Sequence, residues 1–246
     1  MTHWYGQVAG AAGTAHWLFT SRRGGVSAAP FDDWNLAMHV GDDAADVLRN
    51  RAAVALAGGF DPQRMVMMRQ CHSNAVEVVG AAQAPEIQGV DGLVTSEHGT
   101  GVVALSADCV PISLVDADAG VVAAVHSGWQ GMVNDVVGSA LDAMVALGAD
   151  PGRTRASLGP AICGPCYPVP PERADEAADA WSDSRATAPD GQPAIDVRAG
   201  LRQRLRQAGV FVEYIGGCTA EDPQLFSYRR DGLTGRQGVA VWWTQN

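Results

Sequence analysis

Residues 101–131 read GVVALSADCVPISLVDADAGVVAAVHSGWQG, and this stretch decides the fold. It contains two apolar runs rich in β-branched residues, which predict strands, and the second run is uninterrupted, as in a strand buried on both faces. The first run ends at Asp108 and Cys109, because Pro111 cannot continue a central strand. The second run ends at His126. Each predicted strand therefore ends in a residue that can bind a metal ion.

Outside this stretch, helices and strands alternate along the chain. Apolar residues recur at helical spacing over 132–147, and further helices are predicted at 43–57, 170–181 and 196–208. Strands are predicted at 16–20, 64–70, 76–79, 154–158, 210–215 and 238–243, and loops at 83–92 and 182–195. This alternation is typical of the α/β class. No linker divides the sequence, so a single domain is expected.

The composition limits the partners of the chain. The 246 residues carry a formal net charge of −10 and no block of lysine or arginine, so the attraction that drives binding to nucleic acid or anionic membranes is missing. No apolar run reaches the roughly 18 residues of a membrane span, and residues 1–6 lack the features of a signal peptide, which favours the cytoplasm. The five cysteines are an odd number, which indicates reduced thiols rather than a disulfide framework. Small molecules or proteins are the expected partners.

Three potential metal ligands, His72, Cys109 and His126, follow predicted strands. Taken singly, each is more often a structural residue, but ligands in α/β folds bind at the carboxyl ends of strands. Two imidazoles and one thiolate suit Zn²⁺ and leave a fourth position for water or substrate, and copper would also bind this set. Asp108, beside the thiolate, can orient a ligand imidazole or transfer a proton, although a solvated turn carboxylate is an equal alternative.

Two segments are candidates for binding an anion. The glycine loop from Ser127 to Gly131, which includes Gly128, leads into a helix N-terminus, where free N–H groups favour a phosphate. Arg229, Arg230 and Arg236 form a basic cluster in an acidic protein and suit a phosphate or carboxylate. A tight turn and a salt-bridged loop are the respective structural alternatives.

The segment Cys163-Gly-Pro-Cys166 has the spacing of a thioredoxin-like dithiol. A redox pair of that kind should open a helix after a strand. Here Tyr167-Pro-Val-Pro-Pro follows the second cysteine and prevents a helix from continuing. The sequence therefore favours a proline-containing turn over a redox site.

A series of short motifs extends through nearly the whole chain. They are Phe19-Thr-Ser-Arg22-x-Gly24-Gly25-Val-Ser27, Asn35-Leu36, Asn50-Arg51, Gln70-x-His72-Ser73, Asp91-x-x-Val-Thr95, Ala107-Asp108-Cys109-x-Pro111, His126-Ser-Gly128-Trp129-x-Gly131, Gly159-Pro160 and Cys218-Thr219 to Phe226-Ser-Tyr-Arg229-Arg230 with Gly235-Arg236. In this order they resemble the YfiH family, the laccase-domain proteins. The resemblance implies one domain over 1–246, a four-layer α/β/β/α sandwich with mixed β-sheets, in a CNF/YfiH-like fold shared with a cysteine-hydrolase toxin.

The resemblance also implies a function. Proteins of this family are described as purine nucleoside phosphorylases that act on adenosine, inosine and methylthioadenosine, with adenosine deaminase activity as well. It implies zinc at His72, Cys109 and His126. Cys109, as a ligand of that zinc, and Asp108, as the acid beside it, are the catalytic candidates. It further implies substrate contacts for Asn35, Arg51, Gln70 and Arg229, and the glycine loop adds Gly128 and Gly131 as phosphate contacts. Nucleoside and phosphate would be the partners of a monomer or homodimer.

Three other readings stay open from the sequence. Some bacterial members of the family are linked to peptidoglycan editing, which would make the chain a cysteine amidohydrolase with Cys109 as nucleophile and His126 as base. Older assignments describe copper polyphenol oxidases, and a zinc-stabilised interaction domain without activity is the third possibility. The chain departs from the family pattern at Gln130, where a basic residue is usual, and at Pro168, where an acid is common. The Gln130 departure predicts weaker phosphate binding and a balance shifted toward deamination.

Overall fold

The computed structural model describes residues 3–80 and 84–245. Its strands are β1 (Trp4–Ala9), β2 (Thr14–Phe19), β3 (Met65–Arg69), β4 (Val76–Val78), β5 (Glu86–Gln88), β6 (Gly92–Thr95), β7 (Gly101–Ser106), β8 (Val110–Asp116), β9 (Val121–Ser127), β10 (Arg155–Leu158), β11 (Arg185–Thr187), β12 (Pro193–Ile195), β13 (Phe211–Tyr214) and β14 (Gln237–Thr244). Its α-helices are α1 (Ala44–Gly58), α2 (Trp129–Val133), α3 (Val136–Ala146), α4 (Pro171–Ala180), α5 (Val197–Gln207) and α6 (Tyr228–Asp231).

The strands form two large mixed sheets. The first sheet has the order β1-β2-β14-β7-β3-β5, and the second has the order β13-β10-β8-β9-β6-β4. In the first sheet β3 is parallel to β5 and β7, whereas β14 is antiparallel to β2 and β7. In the second sheet β9 is antiparallel to β6 and β8. The small pair β11 and β12 stands apart from both sheets.

Both large sheets are covered on both faces, because their central strands are apolar throughout. In β7, Val102 and Ala104 pack into the core between the two sheets, whereas Val103 and Leu105 pack with α1 on the other side. In β9, the residues that alternate with those of the inter-sheet core pack against α2 to α5. The layers therefore run helix, sheet, sheet, helix, and the predicted α/β/β/α sandwich with mixed sheets is confirmed.

The topology brings the ends of three strands to one place. Parallel neighbours β3 and β7 end at the same edge of the first sheet. After β7 the chain crosses to the second sheet through residues 107–109 and begins β8. The end of β9 lies beside the beginning of β8, since Ser127 pairs with Val110. Residues that follow these strands therefore meet at the edge shared by the two sheets.

Pro111 corrects one sequence-based prediction. The proline was expected to end a strand, but it is the second residue of β8, where it pairs with His126 in β9. The pairing of β8 with β10 begins only at Ile112, so Pro111 is beyond the register of that neighbour. Its carbonyl accepts a bond of 2.8 Å from the N–H of Gly159. A proline is tolerated at this position because it lies at the start of the strand, where its missing N–H does not interrupt the hydrogen bonds to a neighbouring strand.

Other boundaries also differ from the prediction. The helix expected over 132–147 is divided into α2 and α3, because Asp135 adopts a left-handed conformation (φ 59°) between them. The loop expected over 182–195 contains β11 and β12, and the loop expected over 83–92 contains β5. Gln83, the first residue of the loop expected over 83–92, lies outside the described residues. β1 and β8 were not predicted. No helix in the described ranges is long and apolar enough to cross a membrane.

Candidate metal centre

His72, Cys109 and His126 meet at the edge shared by the two sheets. One ligand atom from each lies within 4.8 Å of the others. His72 Nε2 is 3.8 Å from Cys109 Sγ, and the two imidazole rings stand edge to face with centroids 5.0 Å apart. His126 is buried in β9, Cys109 is half-buried and His72 is exposed. The predicted ligand set is therefore assembled by three different strands from two sheets.

Asp91 holds both histidines in place, although sequence reasoning gave it no role. Its fully buried carboxylate accepts a bond of 2.8 Å from His126 Nδ1 and one of 3.1 Å from the backbone N–H of His72. It also accepts bonds from the N–H and hydroxyl of Ser73, at 2.7 and 2.9 Å. These bonds secure His72 in its left-handed conformation (φ 63°). Asp91 also fixes the His126 tautomer, which leaves Nε2 free for a metal.

The sequence contained a signal for Asp91 that was not used. The residue directly precedes the apolar strand β6 and follows a glycine turn, so an acid there enters the core. An aspartate is almost never fully buried unless it is paired. A buried acid with histidines at other strand ends is the pattern of a carboxylate–histidine–metal arrangement.

The electrostatics of the centre couple Cys109 to His126. Burial alone would raise the pKa of the Cys109 thiol, but the charge and hydrogen bond of His126, with help from His72, lower it to about 6. Burial would lower the pKa of His126, but Cys109 and Asp91 raise it to about 9. Burial likewise opposes ionisation of Asp91, yet the bonds from His126 and Ser73 hold its pKa far below the ordinary range. In the metal-free protein the site therefore contains a thiolate and an imidazolium at neutral pH.

The donor set fits a metal ion. Two imidazole nitrogens and a thiolate are the ligands of catalytic zinc sites, and the separations below 4.8 Å suit one shared ion. Gly128 makes room at the centre, because a Cβ there would lie 3.0 Å from Cys109 Sγ and 3.2 Å from His72 Cδ2. A larger residue would therefore push against two of the ligands.

The centre forms the floor of a cavity of about 720 Å³. This volume is within the range of small-molecule sites. Three aromatic side chains line the walls: Trp129, Tyr167 and Tyr228. Four basic side chains also line them: His39, Arg69, Arg229 and Arg236. The cavity can therefore receive a flat ring system and an anion together.

Comparison with known proteins identifies the family of the chain. A family model described as multi-copper polyphenol oxidoreductase laccase matches residues 16–244. The chain belongs to this YfiH family of laccase-domain proteins.

Individual relatives cover almost the whole chain. Purine nucleoside phosphorylase ORF3 of Streptomyces griseus is 45% identical over 239 residues, which are 96% of this chain and 97% of that protein. Adenosine deaminase RL5 from an unknown prokaryotic organism is 35% identical over 246 residues, which cover 91% of this chain and 92% of that protein. The solved structure of the hypothetical protein YfiH of Bacillus licheniformis superposes with a TM-score of 0.86 at 27% identity, covering 94% of this chain and 93% of that one.

Asp108, the predicted proton-transfer residue, lines the cavity beside Cys109. Its Oδ1 accepts bonds from the hydroxyls of Thr219 (2.6 Å) and Ser227 (2.7 Å), and its Oδ2 accepts one from the N–H of Arg229 (2.7 Å). The residue adopts a positive φ of 96°. Asp108 is therefore held in an unusual backbone conformation by the loop that closes the cavity.

The structure brings some of the other family residues to the cavity and not others. Gln70, Gly128 and Arg229 line it, but the amide of Gln70 bonds to the backbone of Leu105. Asn35 is fully buried and bonds to Ala37, Asp42 and the N–H of Arg236. Arg51 donates to the carbonyl of Leu36 and lies 3.9 Å from Glu86. Asn35, Arg51 and the buried Gly131 are not part of the cavity wall.

The anion candidates are also distributed unequally. Arg230 is not in the cavity lining, because its guanidinium bonds to Asp231 and to the carbonyls of Thr219, Asp222 and Leu225. Gln130 is exposed on α2 and is not part of the lining either. The basic wall that does face the cavity includes Arg69 and Arg236, and sequence reasoning gave Arg69 no role. Arg69 ends β3 three residues before His72, and this position at a strand end was a usable signal.

Proposed function

We propose that the chain is a zinc-dependent purine nucleoside enzyme, which cleaves adenosine, inosine and methylthioadenosine with phosphate and also deaminates adenosine. One observation carries the proposal: the side chains of one cysteine and two histidines form the floor of a cavity whose walls are aromatic and basic. Relatives named purine nucleoside phosphorylase and adenosine deaminase support it. We also propose that residues 1–246 form one domain.

His72, Cys109 and His126 would hold the zinc ion, with Asp91 orienting His126 behind it. When bound, zinc supplies Lewis acidity and lowers the pKa of a water molecule toward about 7. We favour zinc over copper because three ligands with an open fourth position are typical of catalytic zinc sites. A copper polyphenol oxidase is the alternative. Copper rather than zinc in the purified protein would support it.

The aromatic wall would bind the purine. Trp129, Tyr167 and Tyr228 line one cavity, and base–aromatic stacking contributes about 1–3 kcal/mol per base. All three rings are backed by cations, since Arg173 lies over Trp129 (4.8 Å), Arg229 over Tyr167 (5.1 Å) and Arg236 over Tyr228 (6.0 Å). Such contacts hold the rings in a fixed orientation for stacking.

The basic wall would bind phosphate. Arg69, Arg229 and Arg236 line the cavity, whereas other arginines nearby are engaged with carboxylates, such as Arg51 with Glu86 and Arg230 with Asp231. Guanidinium groups match phosphate oxygens in pairs. In phosphorolysis a phosphate oxygen forms a bond to ribose C1′, the C1′–N9 bond breaks, and the purine leaves with its electron pair and takes up a proton.

Asp108 would move the proton. Its Oδ1 is occupied by two hydroxyls, whereas Oδ2 accepts only the N–H of Arg229, so Oδ2 has a lone pair for substrate. In deamination, water adds to C6 of adenine, ammonia leaves, and the proton passes from the water to the amino group. A carboxylate beside the reacting atoms can carry that proton.

The test is metal analysis combined with a product assay. Purified protein is incubated with adenosine, with and without phosphate, and adenine and inosine are measured separately. We expect the formation of adenine to require phosphate and inosine to form without it. In Cys109→Ser, which should lose the zinc ion of this centre, we expect neither product to form. Cys71→Ser is the matched control, because Cys71 belongs to neither cluster of potential metal ligands and serine keeps a donor for the bond of 3.5 Å from this side chain to Asp91. Turnover that survives in Cys109→Ser would contradict the proposal.

A second function is favoured by one specific feature, the series Cys109, His126 and Asp91. A thiol with its pKa lowered to about 6, an imidazole paired with it and a buried carboxylate behind the imidazole form the arrangement of a cysteine hydrolase. In that case Cys109 is the nucleophile and His126 the base, and an amide would be the substrate. Hydrolysis by a chelator-treated protein that Cys109→Ser abolishes would support this function. The zinc enzyme should instead lose activity in chelator and regain it with added zinc.

A further inference from the structure

A second group of potential ligands lies outside the cavity lining. Cys163 and Cys166 flank a short 3-10 turn, Gly164–Cys166, after β10. Cys218 and Glu221 belong to a turn that precedes α6. The three sulfur atoms and a carboxylate oxygen of Glu221 all lie within 4.8 Å of one another. Four donors from two distant segments therefore share one small volume.

Separations within 4.8 Å leave the four donors close enough for a tetrahedral site. Zn–S bonds of about 2.3 Å place the sulfurs of such a site about 3.8 Å apart, and a carboxylate oxygen binds at about 2.0–2.2 Å. The turn between Cys163 and Cys166 is closed by a bond of 3.1 Å from the N–H of Cys166 to the carbonyl of Cys163, which directs both side chains to one side. All three cysteines are free thiols. A disulfide would use only two of them and would leave the third thiol and Glu221 unexplained.

We propose that Cys163, Cys166, Cys218 and Glu221 bind a second zinc ion. Four protein ligands make a closed site, which is the mark of structural zinc, whereas the three ligands at His72, Cys109 and His126 leave a position open. This second site is independent of the proposed purine chemistry.

The surroundings supply what such a site needs. The N–H of Cys163 points at Cys218 Sγ at 3.3 Å, and this kind of bond stabilises a thiolate ligand. Arg230 holds the same turn in place, because it donates to the carbonyls of Thr219 (2.7 Å) and Asp222 (2.9 Å).

The ion would join two segments that support the catalytic cavity. Ala161 bridges to Cys218, and the N–H of Thr219 donates to the carbonyl of Ala161 at 3.1 Å. The same Thr219 donates its hydroxyl to Asp108. A zinc ion between the two turns would therefore fix the loop that holds Asp108, without contacting substrate.

The first experiment counts zinc in protein purified under reducing conditions without chelator. We expect two zinc ions per chain in the wild type, one in Cys109→Ser, one in Cys163→Ser and none in the double variant. Cys71→Ser should keep two. A Cys163→Ser protein with as much zinc as the wild type would overturn the proposal, and so would a mass lower by two hydrogens that reports a disulfide among these cysteines.

A second experiment covers the case in which Cys163→Ser does not fold. Cobalt is added to metal-free Cys109→Ser, where only the second cluster remains. We expect the charge-transfer absorption of a thiolate-rich tetrahedral site, and at least tenfold weaker cobalt binding when Glu221 is also changed to alanine. Glu176→Ala, another exposed glutamate, serves as the control and should leave the affinity unchanged. A Cys109→Ser protein without this absorption would contradict the second site.

Discussion

At the scale of single residues, Asp91 supports the candidate metal centre although it is not one of the three potential ligands. It lies behind the ligands and accepts bonds from His126, from the backbone of His72 and from Ser73. In Asp91→Asn, one oxygen becomes an amide that faces these donors, so at least one bond becomes a repulsion. We expect zinc affinity to fall about 10–100-fold, as for other residues that support metal ligands.

The measurement is zinc competition with a chromogenic chelator, followed by kcat/KM for adenosine at saturating zinc. Asp142→Asn is the control, since Asp142 is exposed on α3. If Asp91→Asn bound zinc as tightly as Asp142→Asn, the carboxylate would have no role in the metal centre.

Cys109 provides a prediction about pH in the metal-free protein. Its thiol pKa is lowered to about 6, so the reactive thiolate is lost as the pH falls through about 6 and predominates above it. We expect iodoacetamide to alkylate Cys109 in chelator-treated protein with a midpoint near pH 6, measured by peptide mass spectrometry. Added zinc should protect the thiol across the range. A midpoint near 8.5, the value of an ordinary cysteine, would show that His126 does not pair with this thiolate.

At the scale of secondary-structure elements, Asp135 sets the geometry between α2 and α3. It caps α3 through the N–H of Gly138 (3.1 Å), accepts bonds of 2.8 and 2.9 Å from Arg204, and has a left-handed backbone. Asp135→Ala loses the cap and places alanine in a conformation that aspartate tolerates better. We expect about 2 kcal/mol lower free energy of unfolding, from the cap at about 0.5–2 kcal/mol and the backbone at about 1–2 kcal/mol.

Asp135→Asn separates the two causes, because asparagine also caps helices and adopts the left-handed conformation. It should lose less than about 1 kcal/mol, since the partly exposed pair with Arg204 contributes little. Urea unfolding measures both variants. Equal losses in the two would assign the stabilisation to the ion pair rather than to the cap and the backbone.

The sequence predicted elements whose signals are local. Asp43 caps α1 and Gly59 follows its end in a left-handed conformation, so that helix was predicted within a residue. The potential ligands His72, Cys109 and His126 were predicted for a similar reason, since each follows an apolar run, and the structure brings them together. Asp135 was missed because apolar spacing continues through it and does not reveal a backbone conformation. β8 was missed because Pro111 is tolerated only in view of the register with β9 and β10, which no local pattern contains.

Pairing between distant segments of the chain was the other feature that could not be predicted from the sequence. The division of the strands between two sheets places β7 and β8 in different layers although they are nearly consecutive. Asp91 and Arg69 acquire their positions from this arrangement. The bonds from Thr219 and Ser227 to Asp108 join residues more than 100 positions apart, and such contacts are set by the tertiary fold.

At the scale of the whole molecule, charge is distributed unevenly. The chain has a net charge of −10, yet Arg69, Arg229 and Arg236 line one cavity. A recessed basic wall draws anions inward even in an acidic protein. Arg69→Gln and Arg229→Gln should each remove a charge-assisted bond of roughly 1.5–3 kcal/mol, which raises KM for phosphate about tenfold to a hundredfold.

The readout is the phosphate dependence of adenine formation, with inosine formed from adenosine in the absence of phosphate as the internal control. Gln130→Arg adds a charge on the exposed face of α2 and should leave that dependence unchanged. If Gln130→Arg lowered KM for phosphate while the two arginine variants did not change it, the anion would bind at the glycine loop instead.

The position of β14 has a consequence for protein synthesis. This strand pairs with β2 on one side and β7 on the other, so residues 237–244 separate two strands that are made much earlier. On the ribosome, where synthesis adds about 5–20 residues per second, β7 and the cysteine that follows it emerge long before their central neighbour. The first sheet has to stay open until Thr244 is released. The nascent chain therefore carries Cys109 for several seconds before the first sheet can close.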